Sequence, residues 1–216
     1  MLATDGVREV VRGGDPSVRF DLFSGDLEDL AVFVGVGEGG PPALYALAGR
    51  RWLKPLPLDG VAALGSIARV ADDRWLLAGR TEERAGFAAI YTPLAWEVTP
   101  IPTPPVRAFL RCAGQPEREV GLVAGADGTV VWCDAAGPRV EVIEGGVDLS
   151  AAAVDVAARG WVAGAGTLWT RDPPGGAWRK AWHDPSWATP VVSMFADAGL
   201  VVAMTASGDV LEGRAT

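Results

Sequence analysis

The sequence predicts an all-β fold made of five repeats, each of roughly forty residues. Three observations support this prediction. A short apolar strand that ends in a small residue recurs five times along the 216 residues. Each copy is flanked by further short segments rich in Val, Ala, Leu and Trp and bounded by Gly, Pro or Asp, which is typical of β-strands and their turns. The 28 glycines and 16 prolines, without any long stripe of helical period, argue against a helical bundle.

The recurring strand sets the period of the repeat. Its copies read FVGVGE (33–38), LLAGR (76–80), LVAGA (122–126), WVAGA (161–165) and VVAMT (201–205). We take Gly37, Gly79, Gly125, Gly164 and Met204 as equivalent positions, which gives successive spacings of 42, 46, 39 and 40 residues. Such regular recurrence indicates a repeat architecture, in which neighbouring units bury each other's apolar faces.

Each repeat contains further strands around this one. An apolar strand precedes it in every copy, a second follows it, and a fourth completes the first four copies. Four strands per unit at this period is the spacing of a β-propeller. The sequence therefore predicts a five-bladed β-propeller of four-stranded blades, with the blades at about 17–58, 61–102, 106–146, 149–184 and 190–214.

The fifth unit lacks a fourth strand of its own after GDVLEGR (208–214). A spare strand, GVREVVRG (6–13), precedes the first blade and carries apolar Val7, Val10 and Val11. We expect this N-terminal strand to close the last blade, so that residues 1–216 form a single β-propeller domain.

Composition narrows the function classes. The formal net charge is -8 and only two lysines are present, which argues against nucleic acid because phosphate contacts need a basic surface. No apolar run approaches the roughly 20 residues that a membrane span requires, and no signal peptide is evident, so we expect a cytoplasmic protein without a membrane partner. The two cysteines, Cys112 and Cys133, lie in apolar runs and are expected to be buried free thiols.

One repeat carries a turn with a family likeness. In WVAGAGTLWTRDPPGGAWRKAW (161–182), a strand is followed by Gly-Thr and then by the turn residues Thr170, Asp172, Gly175, Gly176 and Trp178. This pattern resembles the repeat of BNR (Asp-box) propellers and of bacterial propellers like the photosystem II assembly factor. The resemblance implies a structural turn, generally remote from any ligand site, so it supports the fold and leaves activity open. The composition is also similar to that of propeller components of bacterial systems built around an AAA ATPase and a von Willebrand A protein.

Four charged residues interrupt the predicted inner strands and could meet near the axial channel. They are Asp21, Arg69, Arg111 and Asp155. One interpretation is inter-blade ion pairing or solvation by channel water, because an unpaired buried charge is costly. The other is a site for a small anion or a peptide terminus, with Arg69 and Arg111 as donors.

A second group of candidates lies in the predicted loops at the rim. Trp187 falls in a proline-bounded loop and is the best candidate for an exposed contact residue. The other rim candidates are Asp72, Asp73, Arg74, Glu117 and Arg118. Loops rich in acids and arginine suit a protein-binding rim better than an apolar pocket, and no motif for a metal or a cofactor is present.

The sequence thus predicts a non-enzymatic scaffold that binds an unknown protein partner, as one subunit of a bacterial multi-protein system. A lectin-like propeller is the first alternative, and it requires equivalent Trp and Asp pairs in every blade, where these repeats diverge. A five-bladed glycosidase is the second alternative. It requires a group of carboxylates near the axis, for which only Asp21 and Asp155 qualify.

Overall fold

The computed structural model describes residues 17–49, 51–173, 175–184, 187 and 189–214. Within these ranges the fold is all-β, with five antiparallel sheets, two short 3-10 turns at Pro116–Arg118 and Ala126–Gly128, and no α-helix. The prediction of an all-β repeat fold is confirmed at this level. No helix in the described part of the chain is long and apolar enough to cross a membrane.

Each sheet follows one sequence repeat, and its strands pair in chain order, except that the last strand of sheet 1 pairs with the third. Sheet 1 contains β1 (Arg19–Gly25), β2 (Leu30–Val36), β3 (Pro42–Ala48), β4 (Arg51–Trp52) and β5 (Leu56–Pro57). Sheet 2 contains β6 (Val61–Ala71), β7 (Arg74–Thr81), β8 (Gly86–Thr92) and β9 (Glu97–Pro100). Sheet 3 contains β10 (Phe109–Gln115), β11 (Val120–Gly125), β12 (Thr129–Asp134) and β13 (Gly137–Val142). Sheet 4 contains β14 (Ala151–Val154), β15 (Gly160–Gly164), β16 (Thr167–Arg171) and β17 (Arg179–His183). Sheet 5 contains β18 (Val191–Asp197), β19 (Leu200–Thr205) and β20 (Val210–Arg214).

The fourth strand of sheet 1 is broken into two short pieces, β4 and β5, which both pair with β3. The sequence predicted a single fourth strand in this repeat. Pro55 lies between the two pieces and Pro57 lies in the second, and a proline has no amide hydrogen to donate to a ladder. A proline-rich strand is therefore tolerated here only because it lies at the edge of the sheet.

A glycine at the end of the second strand marks the repeat. Gly35, Gly79 and Gly125 pair with Phe20, Leu64 and Phe109, and in each case the inner strand bulges at the next residue. A Cβ on Gly79 would lie 2.2 Å from a backbone oxygen of the facing strand, so only glycine allows this close approach. Gly35, rather than the predicted Gly37, is thus the equivalent position in sheet 1.

Consecutive sheets pack face to face through buried apolar clusters. One cluster joins sheets 1 and 2, a second joins sheets 2 and 3, and two more continue to sheets 4 and 5. The first strands of successive sheets, such as β6 and β10, are also neighbours. The five sheets are therefore arranged like the blades of a propeller, with their first strands innermost.

The two ends of this array differ from its interior. The face of sheet 1 that points away from sheet 2 carries an apolar cluster of its own, with Phe20, Phe33 and Trp52 among its members. In sheet 5, β20 has only β19 as a strand neighbour within the described ranges. The predicted closing strand at 6–13 lies outside the described residues.

Candidate functional site

The predicted charged rim residues lie at one end of the sheets. Antiparallel strands reverse at each turn, so the loop after the first strand and the loop after the third strand of a sheet lie at the same end. Hydrogen bonds join these loops: the Gly49 amide donates to the Asp29 carbonyl at 2.5 Å, and the Leu94 amide donates to Asp73 Oδ1 at 3.3 Å. We call this end the loop face. Its inner loops are 26–29, 72–73, 116–119, 155–159 and 198–199.

Arg69 connects the loops of sheets 1 and 2 on the loop face. Its Nη2 lies 3.1 Å from Asp29 Oδ2 and donates to the Asp72 carbonyl at 2.9 Å, while Nε donates to the Ala71 carbonyl at 3.2 Å. Its guanidinium carbon lies 5.3 Å from the centre of the Trp75 ring, a cation–π distance. Arg69 is therefore engaged within the loops and is not directed as a free donor toward the axis.

Two further arginines continue the connections along the same face. Arg74 Nη2 lies 2.9 Å from Glu119 Oε2 and joins sheets 2 and 3. Arg118 Nε donates to the Val156 carbonyl at 2.9 Å and joins sheets 3 and 4. Together with Arg69 they link the loops of four consecutive sheets, which fixes the spacing of the side chains between them.

A depression of about 570 Å³ lies between the loops of sheets 2 and 3. Its lining includes Asp72, Asp73, Arg74, Glu117 and Glu119. Four of the six predicted rim residues therefore share one surface. The fifth, Arg118, extends from the same loop toward sheet 4.

An exposed apolar turn borders this surface, and sequence reasoning did not identify it. Leu94 is 65% exposed, and Trp96 follows it at a φ of 54°. The Trp96 Nε1 donates to the Lys54 carbonyl at 3.0 Å, and Lys54 Nζ lies 4.6 Å from the centre of the indole ring. Trp96 lies in the turn between β8 and β9. The sequence feature that could have predicted this exposed turn is Pro93, since an apolar residue directly after a turn-forming proline is exposed unless something covers it.

Trp187 does not belong to the loop face. Its ring lies edge-on to Trp182 at 4.8 Å between ring centres, and it packs against the cluster that joins sheets 4 and 5. Its backbone oxygen lies near Gly166, in the turn between the second and third strands of sheet 4, which is at the opposite end of the sheet. Trp187 and the other rim candidates therefore occupy different faces.

The four charged inner-strand residues do not form a common site. Asp21 pairs with Arg19 at 2.7 Å and is exposed, and Arg111 Nη1 donates to the carbonyl of its neighbour Leu110. Asp155 is fully buried. The groove along the inner strands of sheets 3 to 5 is lined mainly by small and apolar side chains, with Ala113, Ala152, Ala153, Met194 and Phe195 among them.

Asp155 serves its own loop. Its Oδ1 accepts the backbone amides of Ala157 and Arg159 at 2.9 and 2.8 Å, which shapes the turn between β14 and β15. Its Oδ2 has no hydrogen-bond partner among the described residues. Asp155, which directly follows β14, therefore shapes a turn and is not an axial carboxylate. Asp21 and Asp155 do not form a carboxylate pair.

A second concavity, of about 720 Å³, lies between the outer strands of sheets 3 and 4. The Arg171 side chain, 4% exposed, pairs there with Glu141 at 3.0 Å and donates through Nε to the Gly176 carbonyl at 2.7 Å. Its guanidinium carbon lies 4.5 Å from the centre of the Trp132 ring, and burial lowers the pKa of Arg171. Trp178 Nε1 donates to the other oxygen of Glu141 at 2.8 Å.

This arrangement is particular to one pair of sheets. Cys133 is the fifth residue of β12, as Arg171 is of β16, so the preceding pair has a thiol at the position of the guanidinium. Equivalent binding sites in every blade, as a lectin of the expected type requires, are therefore not formed by these residues. Within the described ranges, no group of three or more His, Cys, Asp or Glu side chains could hold a metal ion.

No protein-family model and no curated protein matches this chain. Solved structures do. The computationally designed Ika8 protein is 14% identical with a TM-score of 0.64, over 91% of this chain and 58% of its own. A chain of the mitotic checkpoint complex is 14% identical with a TM-score of 0.69, over 91% of this chain and 62% of its own. The computationally designed Ika4 protein is 14% identical with a TM-score of 0.56, over 71% of this chain and 92% of its own.

These likenesses establish the fold alone. The chain spans about three-fifths of the length of the Ika8 and checkpoint chains that it matches. Together with the five stacked antiparallel sheets, they define this protein as an all-β, β-propeller-like repeat protein.

Proposed function

We propose that this protein is a non-enzymatic scaffold that binds a protein partner on its loop face. The observation that carries the proposal is the set of three arginine bridges, from Arg69, Arg74 and Arg118, that link the loops of four consecutive sheets. Binding to loops that are already held in place costs less conformational entropy than binding that must first order those loops. Loops on a rigid framework are a common position for binding residues.

The surface chemistry favours a partner with basic and apolar side chains. Around the depression between sheets 2 and 3, the acidic residues Asp72, Asp73, Glu117 and Glu119 outnumber the single Arg74. The exposed side chain of Leu94 borders them. Opposite charges steer association and exclude partners of like charge, so a polyanion such as nucleic acid is disfavoured here.

The test compares partners captured by three versions of the full chain. Asp72→Lys with Glu117→Lys reverses two charges on the loop face, and Glu82→Lys with Glu83→Lys makes the same change on the opposite face. We expect the loop-face pair to lose a protein that the wild type and the opposite-face pair both retain from a native host extract. Equal retention by all three versions contradicts the proposal.

We also propose the family and setting that the sequence suggests. The turn of sheet 4 that resembles an Asp-box brings Asp172 within 2.7 Å of Arg159 and 2.9 Å of Arg179. The proposal of kinship with BNR-type bacterial propellers, as a cytoplasmic scaffold in a bacterial assembly, rests on the sequence of this turn. Two genes for an AAA ATPase and a von Willebrand A protein beside this one would support that setting, and carbohydrate genes there would instead favour the lectin alternative.

We further propose that the five sheets form a closed five-bladed ring, in which residues 6–13 add to β20 as the fourth strand of sheet 5. In the first four sheets, three to eight residues separate the last strand from the first strand of the next sheet. Five residues, 14–18, separate the proposed closing strand from β1, which falls within that range. The edge of β20 that has no strand neighbour among the described residues supplies the backbone groups to pair with.

A charge placed in the closing strand tests this architecture. Val10→Asp is expected to lower the midpoint of urea unfolding, because a carboxylate disfavours a strand packed on the sheet, whereas Ala3→Asp, outside the strand, is expected to leave it unchanged. Equal midpoints for the two variants contradict closure by residues 6–13.

A further inference from the structure

The outer strands of the first four sheets differ in how their edges are protected. An edge strand exposes unpaired backbone groups, and prolines, positive charges and short length reduce its tendency to pair with another chain. In sheet 1 the outer strand is broken and contains Pro57, in sheet 2 it has four residues and ends at Pro100, and in sheet 4 it carries Arg179 and Lys180. The outer strand of sheet 3, β13, has six residues, of which Pro138, near its start, lacks an amide hydrogen.

β13 also exposes apolar side chains. Val140 is 38% exposed and Val142 is 65% exposed. Side chains alternate along a strand, so these two valines share one face, and Arg139 and Glu141 lie on the other. No strand among the described residues pairs with the outer edge of β13. An apolar strand at an uncovered edge is a surface on which a further strand can be added.

The pairing of β13 with β12 fixes which backbone groups point outward. The Ile143 amide donates to the Gly128 carbonyl at 2.9 Å, so it is directed toward β12. Backbone directions alternate along an antiparallel strand, so the amides and carbonyls of Val140 and Val142 are directed away from the sheet. Pro138 has the same orientation and offers its carbonyl alone. The outer edge therefore presents two amides and three carbonyls within β13.

The sequence of β13 is complementary to its own reverse. When Val140 lies opposite Val140 of a second, antiparallel copy, Arg139 lies opposite Glu141 and Val142 lies opposite Pro138. Shifting this register by two residues in either direction places Arg139 opposite Arg139 or Glu141 opposite Glu141. Opposite charges across a strand pair are stabilising and like charges are destabilising, so charge selects the register centred on Val140.

Both charged side chains remain accessible to a second copy. Arg139 pairs with Asp134 of its own sheet, and its side chain is 42% exposed. Glu141 pairs with Arg171, and its side chain is 26% exposed. Each therefore keeps part of its surface open at the edge of sheet 3, while its existing pair restricts its position.

We propose that β13 pairs with β13 of a second copy of this chain, antiparallel about a two-fold axis at Val140, so that sheet 3 continues from one copy into the other. The two Val140 residues exchange amide-to-carbonyl hydrogen bonds, and each Val142 amide donates to the Pro138 carbonyl of the other copy. Because the same surface is used on both copies, the contact closes on a dimer and does not extend into a filament.

The antiparallel pairing sets the orientation of the two copies. The loop face lies at one end of the strands, so the two loop faces of the dimer point in opposite directions. Each loop face stays open, and the dimer does not depend on whether a protein partner binds there. A contact made through one pair of strands is small, so we expect a weak dimer whose population rises with protein concentration.

The first experiment measures the dimer by sedimentation velocity over a concentration series that reaches the millimolar range. Val140→Lys places two like charges opposite each other at the centre of the contact, and Thr99→Lys makes a matched change at an exposed site on β9. We expect the wild type and Thr99→Lys to dimerise and Val140→Lys to stay a monomer. A wild type that is monomeric throughout, or a Val140→Lys variant that dimerises like Thr99→Lys, overturns the proposal.

The second experiment tests the register with two single cysteine variants, each oxidised in a glutathione buffer. In the proposed dimer the two copies of residue 140 are directly opposite, with Cα atoms about 5.5 Å apart, which a disulfide can span. The two copies of residue 142 are separated by four residues, about 13 Å along the strand, which a disulfide cannot span. The native thiols of Cys112 and Cys133 are buried and do not compete.

We expect Val140→Cys to give a disulfide-linked dimer on a non-reducing gel, and Val142→Cys, although its position is more exposed, to remain a monomer. Equal cross-linking of both variants indicates random collision, and cross-linking of Val142→Cys alone indicates another register. Either result overturns the proposal, as does the absence of a cross-link from both variants, because a dimer seen by sedimentation would then use another surface.

Discussion

Replacing Arg171 by methionine removes its ion pair with Glu141, which joins sheets 3 and 4 through a side chain almost wholly buried. The change keeps a long, flexible side chain that can still pack on Trp132. It removes the partner of Glu141 at 3.0 Å and the donor to the Gly176 carbonyl at 2.7 Å.

The loss of unfolding free energy in Arg171→Met depends on which interactions Glu141 and the Gly176 carbonyl keep after the substitution. Removing one member of a buried pair costs about 3–5 kcal/mol, because the other charge is left uncompensated. Glu141 is 26% exposed and keeps the Trp178 donor, which moves the expected cost toward the lower end. Loss of the carbonyl hydrogen bond adds about 1 kcal/mol, and removal of a guanidinium whose Nη1 has no partner among the described residues offsets part of it. We therefore expect Arg171→Met to cost about 2–4 kcal/mol.

Urea unfolding of a double-mutant cycle measures the interaction. Glu141→Gln in the Arg171→Met background removes the uncompensated carboxylate, so the double variant is expected to recover about 1–2 kcal/mol. Arg179→Met is the matched control, since its pair with Asp172 is half exposed and should be worth less than about 1 kcal/mol. An Arg171→Met variant as stable as this control, or purely additive effects in the cycle, would refute the reasoning.

Three smaller predictions follow from the fold. Gly79→Ala is expected to cost roughly 2–3 kcal/mol in urea unfolding, because its Cβ would lie 2.2 Å from a backbone oxygen, whereas Gly37→Ala, with no atom within 4 Å, should be close to neutral. The Cys112 thiol, whose pKa burial raises to about 12, should not react with a disulfide reagent at pH 8 until the protein is unfolded, and fast reaction of the native protein would contradict its burial. The Arg107 hydrogen bond lowers the pKa of Asp148, so the pair stabilises the fold above the unfolded-state pKa and stops doing so as pH falls through the lower folded-state pKa. The urea midpoints of wild type and Arg107→Gln should therefore differ slightly at pH 7 and converge below about pH 4, and a difference that persists at low pH would contradict this.

The period and strand order of the fold could be predicted because their signals are local. Alternating apolar residues and the glycines at Gly79 and Gly125 mark the same strand ends in the sequence and in the pairing register. The first repeat is displaced by two residues in the sequence comparison, since Gly35 and Gly37 both follow an apolar residue and only the pairing of Gly35 with Phe20 of β1 distinguishes them.

The candidate site could be predicted only in part. Asp72, Asp73, Arg74 and Glu117 come together because they occupy equivalent loops, which the repeat pattern reveals. The direction of a long side chain depends on neighbours distant in sequence, as when Arg69 reaches Asp29, forty residues away. No local pattern contains that information, so the sequence left open both ion pairing between blades and an axial anion site, and Arg69 forms an ion pair between sheets 1 and 2.

The guanidinium between sheets 3 and 4 has a consequence for how such a chain can change over time. Arg171 needs Glu141 and Trp132 from the sheet before it, and the corresponding position one repeat earlier holds the thiol of Cys133. Exchanging or duplicating these two repeats would bury a cation without its counterion or leave a carboxylate unmatched, at a cost of several kcal/mol. The sheets share one geometry, yet sheets 3 and 4 are matched to each other through this side chain, so the order of these two repeats along the chain is constrained.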